Sequence, residues 1–137
     1  MDEQRRKTVL VADDEPAIRR LVSRMLDDDY DVIEAENGRE AVDMARIHRP
    51  DVIFMDMMMP EMDGLSACCQ IKADEGTSYI PVVMLTGISY DLNRKFSEDV
   101  FGANGYVTKP FTRESLLQEL ERLVLLAADA TGQLSTG

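Results

Sequence analysis

Four short apolar segments of this chain each lead into a polar side chain that can take part in chemistry. The segments cover residues 8–12, 52–55, 82–85 and 106–108, and the residues that follow them are Asp13 with Asp14, Asp56, Thr86 and Lys109. Apolar segments this short, bounded by polar and turn residues, are typical of strands buried on both faces of a parallel sheet. Ligands of such sheets bind outside the carboxyl ends of the strands. The sequence therefore predicts three carboxylates, a hydroxyl and an ammonium group at one ligand-binding edge.

Helices alternate with these strands. After Pro16, which suits a helix start, apolar residues recur at helical spacing from Ile18 to Leu26. Further helices are predicted over residues 39–48, 64–74, 88–101 and 113–127, and one more strand over residues 31–35. Alternating strands and helices imply right-handed crossovers and a sheet covered on both faces. We predict an α/β fold with a doubly wound five-stranded parallel sheet, in the order 2-1-3-4-5, flanked by five helices.

The length and charge of the chain narrow its class. With 137 residues, a single domain is expected over residues 1–128, followed by a flexible tail or the start of a linker over 129–137. The net charge of −11 disfavours direct binding to nucleic acid or to an anionic membrane. No apolar segment approaches the ~20 residues that span a bilayer, and none near the N-terminus has signal-peptide length, so a cytoplasmic location is expected.

The two cysteines, Cys68 and Cys69, are adjacent in the sequence. Neighbouring cysteines do not bridge easily, and no Cys/His ligand spacing surrounds them. Within the predicted helix, Cys68 shares a face with Ala67 and Ile71. We therefore expect Cys68 to be a small core residue.

Three carboxylates at one edge of a sheet repel each other. Two unit charges about 4 Å apart cost on the order of 4 kcal/mol at an effective dielectric constant of about 20. A divalent cation would relieve this repulsion, and an all-oxygen ligand set favours a hard ion, Mg²⁺ or Mn²⁺. A carboxylate beside such an ion can attack phosphorus and form an aspartyl phosphate. Lys109 and Thr86 offer the cationic and hydrogen-bonding groups that a transferring phosphoryl group needs.

Together these residues resemble the receiver domain of bacterial two-component response regulators. The resemblance covers about residues 7–127 and is carried by the following motifs: Asp13-Asp14, Asp56 with Met58, Pro60, Met62, Asp63 and Gly64, Thr86-Gly87, and Lys109-Pro110-Phe111. It implies a flavodoxin-like fold and a domain that works in phosphorelay signalling.

The resemblance also implies roles for the acidic residues. Asp56 resembles the phosphoacceptor of the family. Asp14 and Asp56 resemble the direct Mg²⁺ ligands, and the backbone carbonyl of Met58 resembles the third ligand from the protein. Asp13 resembles the acid that acts on the metal through water.

Three further residues resemble the family's phosphoryl-binding and switching groups. Thr86 and Lys109 resemble the pair that contacts the phosphoryl group, and Thr86 also resembles the switch residue. Tyr106 resembles the switch aromatic, which turns inward when the threonine moves toward the phosphate. The Lys109-Pro110 peptide bond resembles one that is usually cis in the family.

The function implied by the resemblance is Mg²⁺-dependent transfer of a phosphoryl group to Asp56 from a phosphohistidine. The donor would be a sensor histidine kinase or a histidine phosphotransfer protein. The domain would catalyse its own phosphorylation and dephosphorylation, without turnover of small substrates. A face made by residues 88–101, the fifth strand and the last helix would contact a downstream target, an output domain or a second copy in a weak homodimer. In the family, the transcription factors that dimerise through this face usually have acidic residues just before the aromatic residue of the fifth strand. This chain has Asn104 and Gly105 there, which weakens the homodimer assignment.

Three other classes fit parts of the sequence. A receiver-like interaction module that works without phosphorylation remains the alternative, although the acids, the threonine and the lysine form a complete set. A phosphohydrolase with an aspartate nucleophile needs a second acid two residues later, where this chain has Met58. A flavodoxin-like FMN carrier needs a loop after the first strand that can bind an anionic phosphate group. Here that loop contains Asp13, Asp14 and Glu15, which would repel phosphate.

Overall fold

A computed structural model describes residues 6–87 and 102–130 of the chain. Within them, five strands and four helices follow each other in the order β1 (Lys7–Ala12), α1 (Pro16–Leu26), β2 (Tyr30–Ala35), α2 (Gly38–His48), β3 (Val52–Asp56), α3 (Gly64–Ala73), β4 (Val82–Thr86), β5 (Gly105–Thr108) and α4 (Arg113–Ala130). The helix predicted over residues 88–101 lies outside the described residues. None of the helices described is both long enough and apolar enough to cross a lipid bilayer.

The strands form one parallel sheet in the order β2-β1-β3-β4-β5, which confirms the predicted topology. The pairings bring the carboxyl ends of the strands level with one another. Ala12 of β1 lies opposite Met55 of β3, and Thr86 of β4 lies opposite Thr108 of β5. The residues that follow these strands therefore share one edge of the sheet.

Helices cover both faces of the sheet. Successive residues of a strand point to opposite faces, so each central strand contributes to two apolar layers. The layer shared with α2 and α3 includes Leu10, Ile53, Met84, Ala45 and Ile71. The layer shared with α1 and α4 includes Val9, Phe54, Leu85, Val22 and Leu120. Every residue of β3 and β4 is buried, as predicted for strands covered on both sides.

The element boundaries differ from the prediction by a few residues. Strand β3 includes Asp56 rather than ending before it. Helix α4 continues to Ala130, three residues beyond the predicted end, and so enters the predicted tail. On α1, Leu21 belongs to the predicted apolar stripe but is 41% exposed, because the stripe is wider than the surface that the sheet covers.

The two cysteines of α3 differ in burial, and we expect them to differ in reactivity. Cys68 is buried and Cys69 is exposed. Burial raises the pKa of the Cys68 thiol to about 11. At pH ~8 such a thiol is about 0.1% ionised, against roughly a quarter for an ordinary thiol of pKa about 8.5. Iodoacetamide should therefore label native protein once, at Cys69, and label Cys68 at least about a hundredfold more slowly. Native Cys69→Ser should stay unlabelled on the same timescale, and equal labelling of both thiols would refute the assignment.

Candidate functional site

Three carboxylates gather where β1 and β3 end. One oxygen each of Asp13, Asp14 and Asp56 lies within 4.8 Å of the others. Asp13 is fully buried and Asp56 is 8% exposed, while Asp14 is exposed. The predicted meeting of these side chains at the sheet edge is confirmed, since Asp13 and Asp56 directly follow the paired residues Ala12 and Met55.

Lys109 brings a positive charge into this group. Its Nζ donates to Asp13 Oδ2 at 3.0 Å and to Asp56 Oδ1 at 3.2 Å. Its backbone N–H donates to the Thr86 carbonyl at 2.7 Å, which holds the end of β5 against the end of β4. The Lys109-Pro110 peptide bond is cis. The lysine predicted to face a phosphoryl group thus bridges the two buried carboxylates in this structure.

The pKa values of Asp56 and Lys109 reflect competing influences. Burial raises the pKa of Asp56 and the charge of Asp13 raises it further, which outweighs the lowering by Lys109 and by the hydrogen bond from the Met58 backbone N–H. Burial lowers the pKa of Lys109, but its hydrogen bonds to, and the charges of, Asp13 and Asp56 outweigh this and the pKa is raised. Lys109 is therefore protonated at neutral pH, and the side chain of Asp56 lies in partly desolvated, negatively charged surroundings.

Every polar atom of Asp13 is engaged within the protein. Its backbone N–H donates to Ala35 at 3.1 Å, and its carbonyl accepts from Arg19 Nη1 at 2.7 Å. Its Oδ1 accepts from the Glu15 N–H at 2.9 Å, and its Oδ2 accepts from Lys109 Nζ. Asp13 is consequently a fixed anchor, whereas Asp14 presents an exposed carboxylate. Arg19 was not among the predicted site residues, because an arginine on an amphipathic helix looks like a surface residue.

The remaining predicted site residues differ in burial. Thr86 ends β4 and is only 3% exposed. Met58 is 77% exposed, and its backbone N–H donates a hydrogen bond to the Asp56 carboxylate. Tyr106 on β5 is partly buried and packs against the apolar layer shared with α2 and α3.

The loop from β3 to α3 is held by close backbone contacts. The N–H of Gly64 donates to the Met57 carbonyl at 2.9 Å, and a Cβ at Gly64 would lie 1.9 Å from the carbonyl oxygen of Asp56. The N–H of Gly38 donates to the Met62 carbonyl at 3.0 Å. Within this loop, Glu61 adopts the left-handed region of backbone conformation at φ 70°, which costs energy for a residue other than glycine. The phosphoacceptor candidate therefore sits in a rigid and locally strained frame.

The donor set suits a hard divalent cation. Three carboxylates supply only oxygen ligands, and neither histidine nor cysteine is part of the group. Burial is the main cause of the raised pKa of Asp56, and the opposition between the negative charges of Asp56 and Asp13 adds to it. A bound cation would relieve this opposition.

Comparison with known proteins assigns the chain to a family. A family model for the response regulator receiver domain matches residues 9–121, which contain the three acids, Thr86 and Lys109. This chain belongs to the response regulator receiver family. Receiver domains are signalling modules of two-component systems, as the sequence resemblance implied.

Relatives of this receiver domain occur both within long proteins and nearly alone. Histidine kinase P4 of Formosa agariphila is 41% identical over 109 residues, which cover 80% of this chain and 8% of the kinase. The chemotaxis protein CheY of Halobacterium salinarum is 36% identical over 115 residues, which cover 83% of this chain and 93% of CheY. The chain thus spans a small part of the first relative and nearly all of the second.

A solved receiver structure has the same fold. The receiver domain of the sensor histidine kinase PA1611 from Pseudomonas aeruginosa, which contains a magnesium ion coordinated in its active site cleft, superimposes with a TM-score of 0.80 at 31% identity. The match covers 88% of this chain and 98% of that domain.

Proposed function

We propose that this receiver domain accepts a phosphoryl group on Asp56 from a phosphohistidine of a partner protein, in a reaction that depends on Mg²⁺. The observation that carries the proposal is the convergence of Asp56 with two further carboxylates and with the Lys109 ammonium group at one edge of the sheet. Asp56 is the proposed acceptor within this group, since it contacts Lys109 and, unlike the fully buried Asp13, retains limited access to solvent.

The proposed step is an in-line displacement. A carboxylate oxygen of Asp56 forms a bond to phosphorus while the bond from phosphorus to the imidazole nitrogen breaks, and that nitrogen keeps the electron pair. Negative charge on the phosphoryl oxygens needs cationic and hydrogen-bonding partners. Lys109 is within reach because its Nζ already contacts Asp56, and the Thr86 hydroxyl lies at the end of the neighbouring strand. Hydrolysis by water would return Asp56 to its free form. The domain would thus catalyse its own phosphorylation and dephosphorylation, and turnover of small substrates is not part of the proposed function.

The residues that would hold Mg²⁺ are Asp14 and Asp56 through their carboxylates and Met58 through its backbone carbonyl, with Asp13 acting through water. The assignment of Asp13 is supported by its two carboxylate oxygens, which already accept from Glu15 and Lys109. When bound, Mg²⁺ supplies positive charge that stabilises the transferring phosphoryl group. Mn²⁺ should serve in its place, because both ions prefer oxygen ligands.

The proposed signal is a shift between two conformations. Thr86 and Tyr106 are the proposed switch residues, with Thr86 buried beside the site and Tyr106 partly buried on the next strand. Moving a population from 1:99 to 99:1 requires about 5.5 kcal/mol of differential stabilisation. The predicted face of residues 88–101, β5 and α4, of which the structure describes only β5 and α4, would pass this shift to a downstream target or output domain. In the part of this face that the structure describes, Tyr106, Phe111 and Glu119 line a groove of about 340 Å³.

The start of β5 gives little support to a homodimer through the same face. Asn104 Oδ1 accepts from the Val82 N–H at 2.9 Å, so this side chain serves the sheet. A Cβ at Gly105 would lie 2.3 Å from a Glu119 carboxylate oxygen. Arg122 is paired with Glu119 at 2.7 Å. Charged groups at this position are therefore satisfied within one chain.

Acetyl phosphate separates the proposed function from its alternative. With Mg²⁺ present, the intact mass should rise by one phosphoryl group, and chelation of the metal by EDTA should prevent the increase. An interaction module that works without phosphorylation would show no increase under either condition. The donor protein would then be sought by transfer from phosphorylated histidine kinases and phosphotransfer proteins.

Removing the exposed acid should separate metal binding from folding. We expect Asp14→Ala to abolish Mg²⁺ binding while leaving the metal-free free energy of unfolding unchanged or higher by about 1 kcal/mol, given partial screening. Asp14 adds a third negative charge near Asp13 and Asp56, and among the contacts described only one ammonium group offsets them. Urea unfolding in EDTA measures the effect. Asp28→Ala, an exposed acid in the turn after α1, is the control, and a clear loss of metal-free stability in Asp14→Ala would contradict the expectation.

A further inference from the structure

A guanidinium group lies behind the acidic site on α1. The side chain of Arg19 is only 14% exposed. Its Nη1 donates to the Asp13 carbonyl at 2.7 Å, and its Nε donates to Glu34 Oε1 at 3.0 Å. A guanidinium removed from water is costly unless its donors are bonded, so these two contacts fix where the side chain lies.

The carboxylate of Glu34, which accepts from Arg19, is itself held by a second hydrogen bond. Ser23, one turn further along α1, donates its hydroxyl to Glu34 Oε2 at 3.2 Å. Glu34 belongs to β2, so the hydrogen bonds run from α1 to β2 and back to the end of β1. Arg19 is the group that connects all three elements at the site.

The carbonyl that Arg19 holds controls the position of Asp14. It belongs to the planar peptide unit that joins Asp13 to Asp14, so its direction sets the direction in which the Asp14 backbone leaves. The preceding peptide unit is held by the bond from the Asp13 N–H to Ala35, and the following one by the bond from Glu15 to Asp13 Oδ1. Asp14 is exposed, and none of the hydrogen bonds among the described residues holds its side chain. The direction in which the Asp14 carboxylate points therefore depends on the position of its backbone.

We infer that Arg19 is a positioning residue that directs the Asp14 carboxylate into the metal site. The inference rests on the proposed function, because it takes Asp14 to be a metal ligand. Arg19 does not act through its net charge, since Glu34 offsets that charge at 3.0 Å. Loss of Arg19 frees the peptide between Asp13 and Asp14 and weakens metal binding. Groups that orient metal ligands without touching the metal typically change affinity by about 10–100-fold.

Arg20 provides a matched control. It is the next residue of the same helix, carries the same charge and is exposed. Free Mn²⁺ can be followed by electron paramagnetic resonance while each protein is titrated, with circular dichroism confirming that it is folded. Arg19→Met should weaken Mn²⁺ binding about tenfold or more, and Arg20→Met should stay within about twofold of the parent. Ser23→Ala, which loosens Glu34 without changing charge, should weaken binding by a smaller factor and serves if Arg19→Met does not fold.

A kinetic measurement separates positioning from a role in the chemistry. In Arg19→Met, the Mg²⁺ concentration for half-maximal phosphorylation by acetyl phosphate should rise about tenfold, with the maximal rate within about twofold of the parent. Arg19→Lys, which can still donate to the Asp13 carbonyl, should recover part of the affinity. Equal Mn²⁺ affinity in Arg19→Met and Arg20→Met, or a lower maximal rate at unchanged Mg²⁺ dependence, would overturn the inference alone. A parent protein that binds no Mn²⁺, or whose binding survives Asp14→Ala, would overturn the proposed function as well.

Discussion

Asp56→Asn should abolish phosphorylation completely. The amide is close in size to the carboxylate, so the packing of this residue, which is 8% exposed, changes little. The amide lacks the nucleophilic oxygen and the negative charge that the reaction requires. Intact mass after treatment with acetyl phosphate and Mg²⁺ should rise by one phosphoryl group in the parent and remain unchanged in the variant.

The control for this experiment is an aspartate away from the sheet edge. Asp43 is exposed on α2, and Asp43→Asn makes the same chemical change. It should be phosphorylated like the parent. If Asp56→Asn gains the phosphoryl mass as readily as Asp43→Asn, another residue is the acceptor and the proposed role of Asp56 is wrong.

Gly64→Ala should strongly destabilise the domain while leaving the charges of the site intact. The added Cβ would lie 1.9 Å from the carbonyl oxygen of Asp56 and 2.8 Å from its carbonyl carbon. Both atoms belong to the backbone of β3, which is buried throughout and cannot give way. Helix α3 would have to move, although Asp63 caps it by accepting from the Ser66 N–H at 2.7 Å.

We expect this change to lower the free energy of unfolding by about 3 kcal/mol or more, at the upper end of overpacking effects. Gly76→Ala is the control, because a Cβ there would meet its nearest neighbour at 3.5 Å. Its effect should stay within about 0.5 kcal/mol. Chemical denaturation of both variants measures the difference. Similar stabilities would mean that the loop after Asp56 yields more easily than its contacts indicate.

The positions of the principal site residues could be predicted because each directly follows an apolar segment. Parallel strands in a doubly wound sheet end at one edge, so Asp13, Asp56, Thr86 and Lys109 had to approach one another once the strand order was known. What Lys109 contacts was less predictable. Its partners in this structure are Asp13 and Asp56, and this choice depends on distances of 3.0 and 3.2 Å that no sequence pattern encodes.

Other features of the site leave no clear trace in the sequence. The group through which Arg19 reaches the site, the Asp13 carbonyl, is a backbone group that every residue has, and an arginine on an amphipathic helix is usually solvated. The sequence Asn37-Gly38 is typical of a turn. In the structure, a glycine is needed at position 38 because a Cβ there would lie 2.1 Å from the Met62 carbonyl oxygen. The left-handed Glu61 depends on the same loop packing. Each of these features depends on contacts that form only in the folded chain.

The bond between Lys109 and Asp13 joins residues 96 positions apart. Strand β1 lies inside the sheet and can pair with β2 and β3 as soon as they are synthesised, whereas β5 is an edge strand and the last to appear. On a ribosome, the three acids are therefore complete well before their lysine partner emerges. A chain that has stopped growing before β5, or whose last strand has not docked, carries the acceptor aspartate without the cation beside it. For the proposed phosphoryl transfer, docking of β5 is therefore the step that would bring the Lys109 ammonium group to Asp56.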